Sequence, residues 1–475
     1  MNHPIRRVAL VAALMFFALL ANLSYTAVVR DSTLDADPRN RRTRDAEFAM
    51  QRGAILVGNT PIAQTQPSDG RFKFKRTYAN GPLWAPVTGY YSYDYAHAGL
   101  EASYNTQLSG TDDSQFFGRV LDTITGDQPV GANLQTTLDA RAQKAASDAL
   151  GNRTGAVVAI DYRSGAVKAM VSKPSYDPNA LASTDLSQAR KAWQQLSTDQ
   201  SRPMSNRGTK EVYPPGSTFK LVTAAAALED GMEPTSTVES PVALKLPQTN
   251  TRLTNEVNCG GSTSTIDKAL QVSCNTAFAN LGMSLGAEKL REQSQKFGFD
   301  SALEGDLSPA VSRFPESPDT PQTAMSAIGQ FDVAATPVQM AVVAGAIAND
   351  GQVMQPYLVQ DVRNPDLSKL GSNDGKKLER AMAPRNAQAL QQMMVNVVEQ
   401  GTGTRAAVPG TVVGGKTGTA QSDPNRPPYA WFVGFSQDPD LAIAVFIEDA
   451  QVQRSEIAGG RLGGPIFRAV VEAMK

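Results

Sequence analysis

The segment EVYPPGSTFK, residues 211–220, sets two prolines and a glycine directly before a serine, with a lysine three positions further on. Proline fixes φ and pushes the residue before it into extended conformations, so Pro214-Pro215-Gly216 ends an extended stretch and lets a helix begin at Ser217. The run STFKLVTAAAALEDG carries that helix to Gly231, a suitable stop. Residues three apart on a helix share a face, so Ser217 and Lys220 approach each other at the first turn. Unpaired N–H groups and the helix dipole favour developing negative charge there. A serine hydroxyl is a weak nucleophile until a base removes its proton, and a lysine enclosed in a positively biased pocket loses enough basicity to serve. Taken alone, the pair reads equally well as a helix cap beside a solvated lysine.

Two further stretches supply groups of the same chemistry. Ser273-Cys274-Asn275 offers a hydroxyl able to pass protons and an amide able to hold a lysine or a substrate amide. By itself it could be an ordinary polar helix boundary. GGKTGTA, residues 414–420, brings Lys416, Thr417 and Thr419 onto a strand able to align an extended peptide, while Gly418 and its neighbours leave backbone accessible. Its bland alternative is a glycine-permissive edge strand. The overlapping GTVVGGKT, residues 410–417, also spells a phosphate-binding loop. Such a loop follows a strand and opens a helix. Here the β-branched residues fall inside the supposed loop, and glycine and three prolines follow it, so nucleotide binding is set aside.

Composition narrows the chemistry. The chain has 475 residues, enough for two or three domains, with a formal net charge of -1 that gives no nucleic-acid footprint. His3 and His97 are the only histidines. A serine–histidine–acid triad and a multi-histidine metal site are therefore excluded as readings, and a catalytic serine would rely on lysine; no cofactor is expected. Cys259 and Cys274 are the only cysteines. In a reducing compartment they would be spare thiols; in an exported chain they are expected to form a disulfide.

Export follows from the N-terminus. Residues 8–29 are 22 uncharged residues between Arg7 and Arg30, reaching roughly 33 Å as a helix, sufficient to cross a bilayer. Arg6 and Arg7 favour a cytoplasmic tail over residues 1–7. A cleaved signal peptide is the alternative, without a clear cleavage box to support it. Residues 30–50 read as a charged juxtamembrane linker and 51–150 as an irregular, strand-containing, non-catalytic module that ends in a helix over 138–150 capped by Asp139. In residues 151–475, β-rich hairpins at 154–172 and 429–448 flank helical stretches, among them 265–286 and 336–351. That order argues for an α/β sandwich with a central antiparallel sheet built from distant parts of the chain, plus a helical subdomain. Residues 312–321 and 364–375 look like surface connections.

Ser217-x-x-Lys220, Ser273-x-Asn275 and Lys416-Thr417-Gly418, in this order, resemble the signature of penicillin-recognising serine enzymes. NRGTKEVYPPGSTFK at 206–220, QFDVAATPVQMA at 330–341 and GTGTRA at 401–406 are similar to class B penicillin-binding proteins, most like the actinobacterial penicillin-binding protein A group. RGAIL at 52–56 and GLEASYNTQLSG at 99–110 resemble that class's membrane-proximal pedestal. Cys274 stands where many relatives have Asp, and Val57-Gly58-Asn59 replaces the more usual Asp-Arg-Asn.

The resemblance implies a single-pass membrane protein with an extracytoplasmic serine D,D-transpeptidase that forms 4,3 cross-links in peptidoglycan and is acylated by β-lactams. Its partners would be donor and acceptor stem peptides, β-lactams as covalent inhibitors, the bilayer through residues 8–29, and division or elongation proteins, with no nucleic acid. Lys220 would activate Ser217, Ser273 would move protons and Asn275 would orient Lys220. Lys416, Thr417, Gly418 and Thr419 would hold the substrate, with the N–H groups of Ser217 and Thr419 as oxyanion donors. A D,D-carboxypeptidase is the alternative, and a non-enzymatic β-lactam sensor or scaffold a further one.

Overall fold

A computed structural model describes residues 3–30, 41–69, 72–116, 118, 124–126, 128–421 and 426–475. The apolar N-terminal run forms the helix His3–Val28, whose described side chains are almost all exposed; Pro4–Val28 is long and apolar enough to cross a membrane. The linker expected over 30–50 is in part a helix, Arg41–Phe48. Phe48 anchors it by stacking on Tyr91 at 4.4 Å, which explains why a segment with no apolar periodicity still folds against the module beyond it.

That module is organised by a six-stranded sheet in the order Lys369–Ser372, Val359–Arg363, Asn133–Thr136, Ile55–Val57, Thr60–Pro67, Phe74–Tyr78. Gly58, at φ 56, makes the tight turn between Ile55–Val57 and Thr60–Pro67, the first two of these strands in chain order. The first two strands of the sheet come from far along the chain, so residues 364–375 are more than a surface connection: Lys369–Ser372 pairs with Val359–Arg363. GLEASYNTQLSG forms two short helices, Leu100–Ser103 and Asn105–Ser109. The first delivers Glu101, fully buried, to Arg52 at 2.6 Å and Arg76 at 2.7 Å. The RGAIL and GLEAS stretches thus meet in one buried ion cluster. His97 belongs to this module too, stacked on Tyr91 beside Glu47.

The second sheet has five antiparallel strands in the order Val413–Ala420, Tyr429–Gln437, Asp440–Asp449, Thr154–Asp161, Val167–Lys173. The two hairpins read from the sequence are neighbours across Asp440–Asp449 and Thr154–Asp161. Both faces are covered, which is why these strands are apolar without alternation. Val158, Ile160, Val433 and Phe435 face a core shared with the helices Pro337–Ala348 and Pro384–Gln400. Their neighbours Val157, Ala159, Phe432 and Ile443 face a second core with Ala140–Leu150 and Gly459–Met474. Asp139 caps the first of these last two helices, accepting from Arg141 N and Ala142 N. Val413–Ala420 lies at the sheet edge, so half of its backbone groups face away from its one partner strand.

Candidate active site

Ser217 does not open the α-helix as expected but lies in a short turn ahead of it. Gly216–Phe219 is a 3₁₀ turn, and the α-helix Lys220–Glu229 continues from it. The cause is the fixing of 213–216 from outside. Tyr213 exchanges two backbone hydrogen bonds with Ala335, both 2.9 Å, and Trp431 Nε1 donates to Pro214 O at 3.0 Å. Gly216, at φ 53, donates to Gly329 O at 3.0 Å, and a Cβ on Gly329 would come within 2.1 Å of Gly216 O. No larger residue fits either position. The QFDVAATPVQMA stretch therefore buttresses the serine turn.

The helix expected over 265–286 breaks in the middle. Ile266–Gln271 stops, Ser273 adopts φ 63, and Asn275–Leu285 starts afresh behind Cys274. Cys274 contributes no side-chain cap; Asn255 does so from a distant loop, its Oδ1 accepting from Asn275 N at 2.8 Å and Thr276 N at 3.0 Å. Cys259 and Cys274 form the expected disulfide, closing that loop onto the turn. The positive φ turns Ser273 toward the two lysines.

Lys220 and Lys416 are both 0% exposed. Lys220 Nζ donates to Asn275 Oδ1 at 2.7 Å, Ser273 O at 2.8 Å and Ser273 Oγ at 3.3 Å. Lys416 Nζ donates to Ser273 Oγ at 2.8 Å and Thr417 O at 2.9 Å. One hydroxyl therefore bridges two buried amines. Burial, and then the charge of Lys416, pull Lys220 well below the usual lysine range, against a smaller opposite pull from Glu256. Burial takes Lys416 down to about 7. When Lys416 carries a proton, Lys220 is thus the neutral amine of the pair. GTVVGGKT is not a phosphate loop, since Lys416 lies mid-strand with no helix after it. Gly418 faces inward rather than into the site: a Cβ there would meet Thr218 Cγ2 at 2.9 Å and Pro215 O at 3.0 Å, so its smallness lets the strand lie against the serine turn.

Ser217, Ser273, Asn275, Thr417 and Thr419 line one cavity of about 790 Å³, and the buried Lys220 and Lys416 reach it through Ser273 Oγ. Residues 155–472 match the penicillin binding protein transpeptidase domain, and residues 52–134 match the penicillin binding protein A dimerisation domain. The chain is a penicillin-binding protein. Peptidoglycan D,D-transpeptidase PbpA of Mycolicibacterium smegmatis is 42% identical over 487 residues, spanning 100% of this chain and 99% of that one. The PbpA of Mycobacterium tuberculosis is 40% identical with the same coverage. The ceftriaxone acyl-enzyme structure of penicillin-binding protein A from M. tuberculosis superposes with a TM-score of 0.87 at 39% identity, over 90% of this chain and 99% of that one.

Several cavity residues of this penicillin-binding protein were given no role from the sequence alone. Thr402 Oγ1 lies 2.7 Å from Thr417 Oγ1, tying the GTGTRA turn to the lysine strand, and Arg405 enters the cavity from the same turn. Arg252 enters from the short strand Arg252–Thr254, and Glu256 from the loop after it that Asn255 and Cys259 fasten. Only the GTGTRA residues lie in a stretch already quoted for its likeness to the class. Arg252 and Glu256 lie in and just after the strand Arg252–Thr254, whose place beside the site depends on the fold and on the disulfide.

Proposed function

We propose that the chain is a membrane-anchored peptidoglycan D,D-transpeptidase with Ser217 as its nucleophile. The observation that carries the reading is the meeting of two buried lysines at Ser273 Oγ in a cavity lined by Ser217. A neutral Lys220 takes the Ser217 Oγ proton as Oγ bonds to the carbonyl carbon between two terminal D-alanines. The N–H groups of Ser217 and Thr419 receive the oxyanion, which exists only after attack and is therefore where binding energy lowers the barrier. The leaving D-alanine amine gains its proton from Lys220 by way of Ser273 Oγ, and Asn275 keeps Lys220 Nζ aimed. Protonated Lys416, with Thr417 and Thr419, holds the terminal carboxylate, while the outer edge of Val413–Ala420 pairs with the extended donor peptide. A stem-peptide amine then replaces Ser217 on the acyl carbon to complete a 4,3 cross-link. A β-lactam enters by the same first step and stays.

In the same reading residues 8–29 anchor the chain with residues 1–7 in the cytoplasm. The pedestal is the module built around the six-stranded sheet, including Val359–Arg363 and Lys369–Ser372, while the rest of 151–475, with Ala140–Leu150 packed on its sheet, catalyses outside the membrane in contact with division or elongation proteins. The test incubates the purified full-length chain with a D-Ala-D-Ala-like thioester donor and an amine acceptor and follows products by mass. A Ser217 adduct followed by amide product supports transpeptidation. An adduct resolved only by water makes the chain a carboxypeptidase, one that persists unchanged makes it a sensor, and no adduct at Ser217 overturns all three.

A further inference from the structure

A transpeptidase needs two substrates of opposite charge in one cavity. The donor ends in a carboxylate; the acceptor brings a primary amine, which in water is mostly an ammonium. The cavity suits the first and opposes the second. Arg252 enters from the strand Arg252–Thr254, Arg405 from the GTGTRA turn and Arg461 from the C-terminal helix, and the buried Lys220 and Lys416 both donate to Ser273, which lines the cavity. Arg461 is partly answered by Glu456 at 3.3 Å. Among the described residues that line the cavity, Glu256 is the one acid.

Glu256 is exposed and forms no salt bridge among the described residues, so its carboxylate is free to take a cation from solution. Its position is nonetheless fixed. The preceding residue, Asn255, is held by four hydrogen bonds, to Asn275 N, Thr276 N, Thr276 Oγ1 and Pro241 O. Three residues later Cys259 is linked to Cys274, the neighbour of both Ser273 and Asn275. Glu256 is close enough to the reaction centre for its charge to favour the protonated form of both Lys220 and Lys416.

We propose that Glu256 is the docking group for the acceptor: its carboxylate receives the acceptor's primary ammonium beside the acylated Ser217. This rests on the transpeptidase reading above. After docking, the ammonium gives one proton to solvent. The free amine nitrogen bonds to the acyl carbon, the ester bond from that carbon to Ser217 Oγ breaks, and a second nitrogen proton returns to Oγ through Lys220. The sum is acyl-serine plus ammonium giving amide, free serine and one released proton.

The experiment reads how one acyl-enzyme divides between acceptor and water, which does not depend on how fast it formed. Full-length protein is acylated with a thioester donor and given glycinamide, which is charged at the working pH, or hydroxylamine, which is not. Glu256→Gln should raise the glycinamide concentration needed for half-transfer roughly fivefold, the scale of an exposed ion pair. Glu256→Lys should raise it further, Glu256→Asp should restore most of it, and added salt should shrink the difference between wild type and Glu256→Gln. The hydroxylamine requirement should move by less than half as much. Equal shifts for both acceptors, or none for glycinamide, overturn the proposal, the first by making Glu256 a group that acts through the lysines. Failure of wild-type Ser217 to acylate is a separate outcome that overturns the transpeptidase reading instead.

Discussion

Ion pairs are buried in both halves of this molecule, Arg207 with Glu448 among them, but two of its buried charge clusters are opposite in kind. In the N-terminal module Glu101 sits between Arg52 and Arg76, and the three compensate one another: the guanidinium groups hold the Glu101 carboxyl below its usual range despite burial. In the catalytic half Lys220 and Lys416 are buried with no carboxylate in contact among the described residues, and donate to hydroxyl, amide and carbonyl oxygens. Paired burial leaves every group in its ordinary charge state and fastens a structure. Unpaired burial pushes the amines toward neutrality and makes a base. The same desolvation thus produces a rivet in one region and reactivity in the other.

The sharpest division between the regions is expected at the nucleophile. Ser217→Ala should abolish covalent labelling by penicillin, read by intact mass, while leaving the melting temperature unchanged. Lys220→Met should slow acylation by about 10²–10⁴-fold and yet leave the protein no less stable, because a desolvated amine is replaced by an apolar chain of similar length. Glu101→Ala should do the reverse. It strands two buried arginines at a cost of about 3–5 kcal/mol in chemical denaturation, while the surviving folded fraction still acylates. If Lys220→Met destabilised as strongly as Glu101→Ala, the contrast between rivet and base would fail.

Acidity separates the regions a second way. Lys416 titrates at about 7 in the folded chain against 10.5 for the free side chain. The unfolded chain therefore binds the extra proton between those values, and stability should rise with pH across that window. Glu101 works at the other end: its folded value lies below 4.5, so its stabilisation is complete above that and is lost as pH falls through the lowered value. Thermal melts across pH should lose part of the alkaline rise in Lys416→Met, with buried Lys220 keeping the rest, and the acid fall in Glu101→Gln. Acylation kinetics of the wild type should give a bell, rising as Lys220 loses its proton and falling through about 7 as Lys416 loses the charge that holds the donor carboxylate.

Local patterns in the sequence announced what local physics decides. The apolar hairpins, the Asp139 cap and the lysine-bearing strand are all legible because their apolar runs and caps act on near neighbours. What was not legible depends on contacts between distant residues. The serine turn is 3₁₀ because Gly329 and Trp431 hold it. The 265–286 helix breaks at Ser273 because residues 255–259 reach back to cap and link it. The strands Val359–Arg363 and Lys369–Ser372 join a sheet that begins some 300 residues earlier. Nothing in the local sequence marked Glu101 or Glu256; only the fold gives one to two arginines and the other to the cavity.

The smallest expected effect tests how the reactive burial is held in register. Asn255 caps Asn275–Leu285 in place of the residue at its start, and Asn275 is the residue that aims Lys220 Nζ. Losing such a cap typically costs about 1 kcal/mol, so Asn255→Ala should lower stability by that order. Its acylation rate should fall several-fold as Asn275 gains freedom. Asn255→Asp keeps the oxygen that accepts from Asn275 N and Thr276 N but loses the donors to Pro241 O and Thr276 Oγ1. It should therefore retain most of the acylation rate while giving up part of the stability. A reduction of Cys259–Cys274 that left Asn255→Ala and wild type equally slow would mean that the disulfide, rather than the cap, sets the position of Ser273 and Asn275. A further loss on reduction of Asn255→Ala would mean that the two act independently on the same turn.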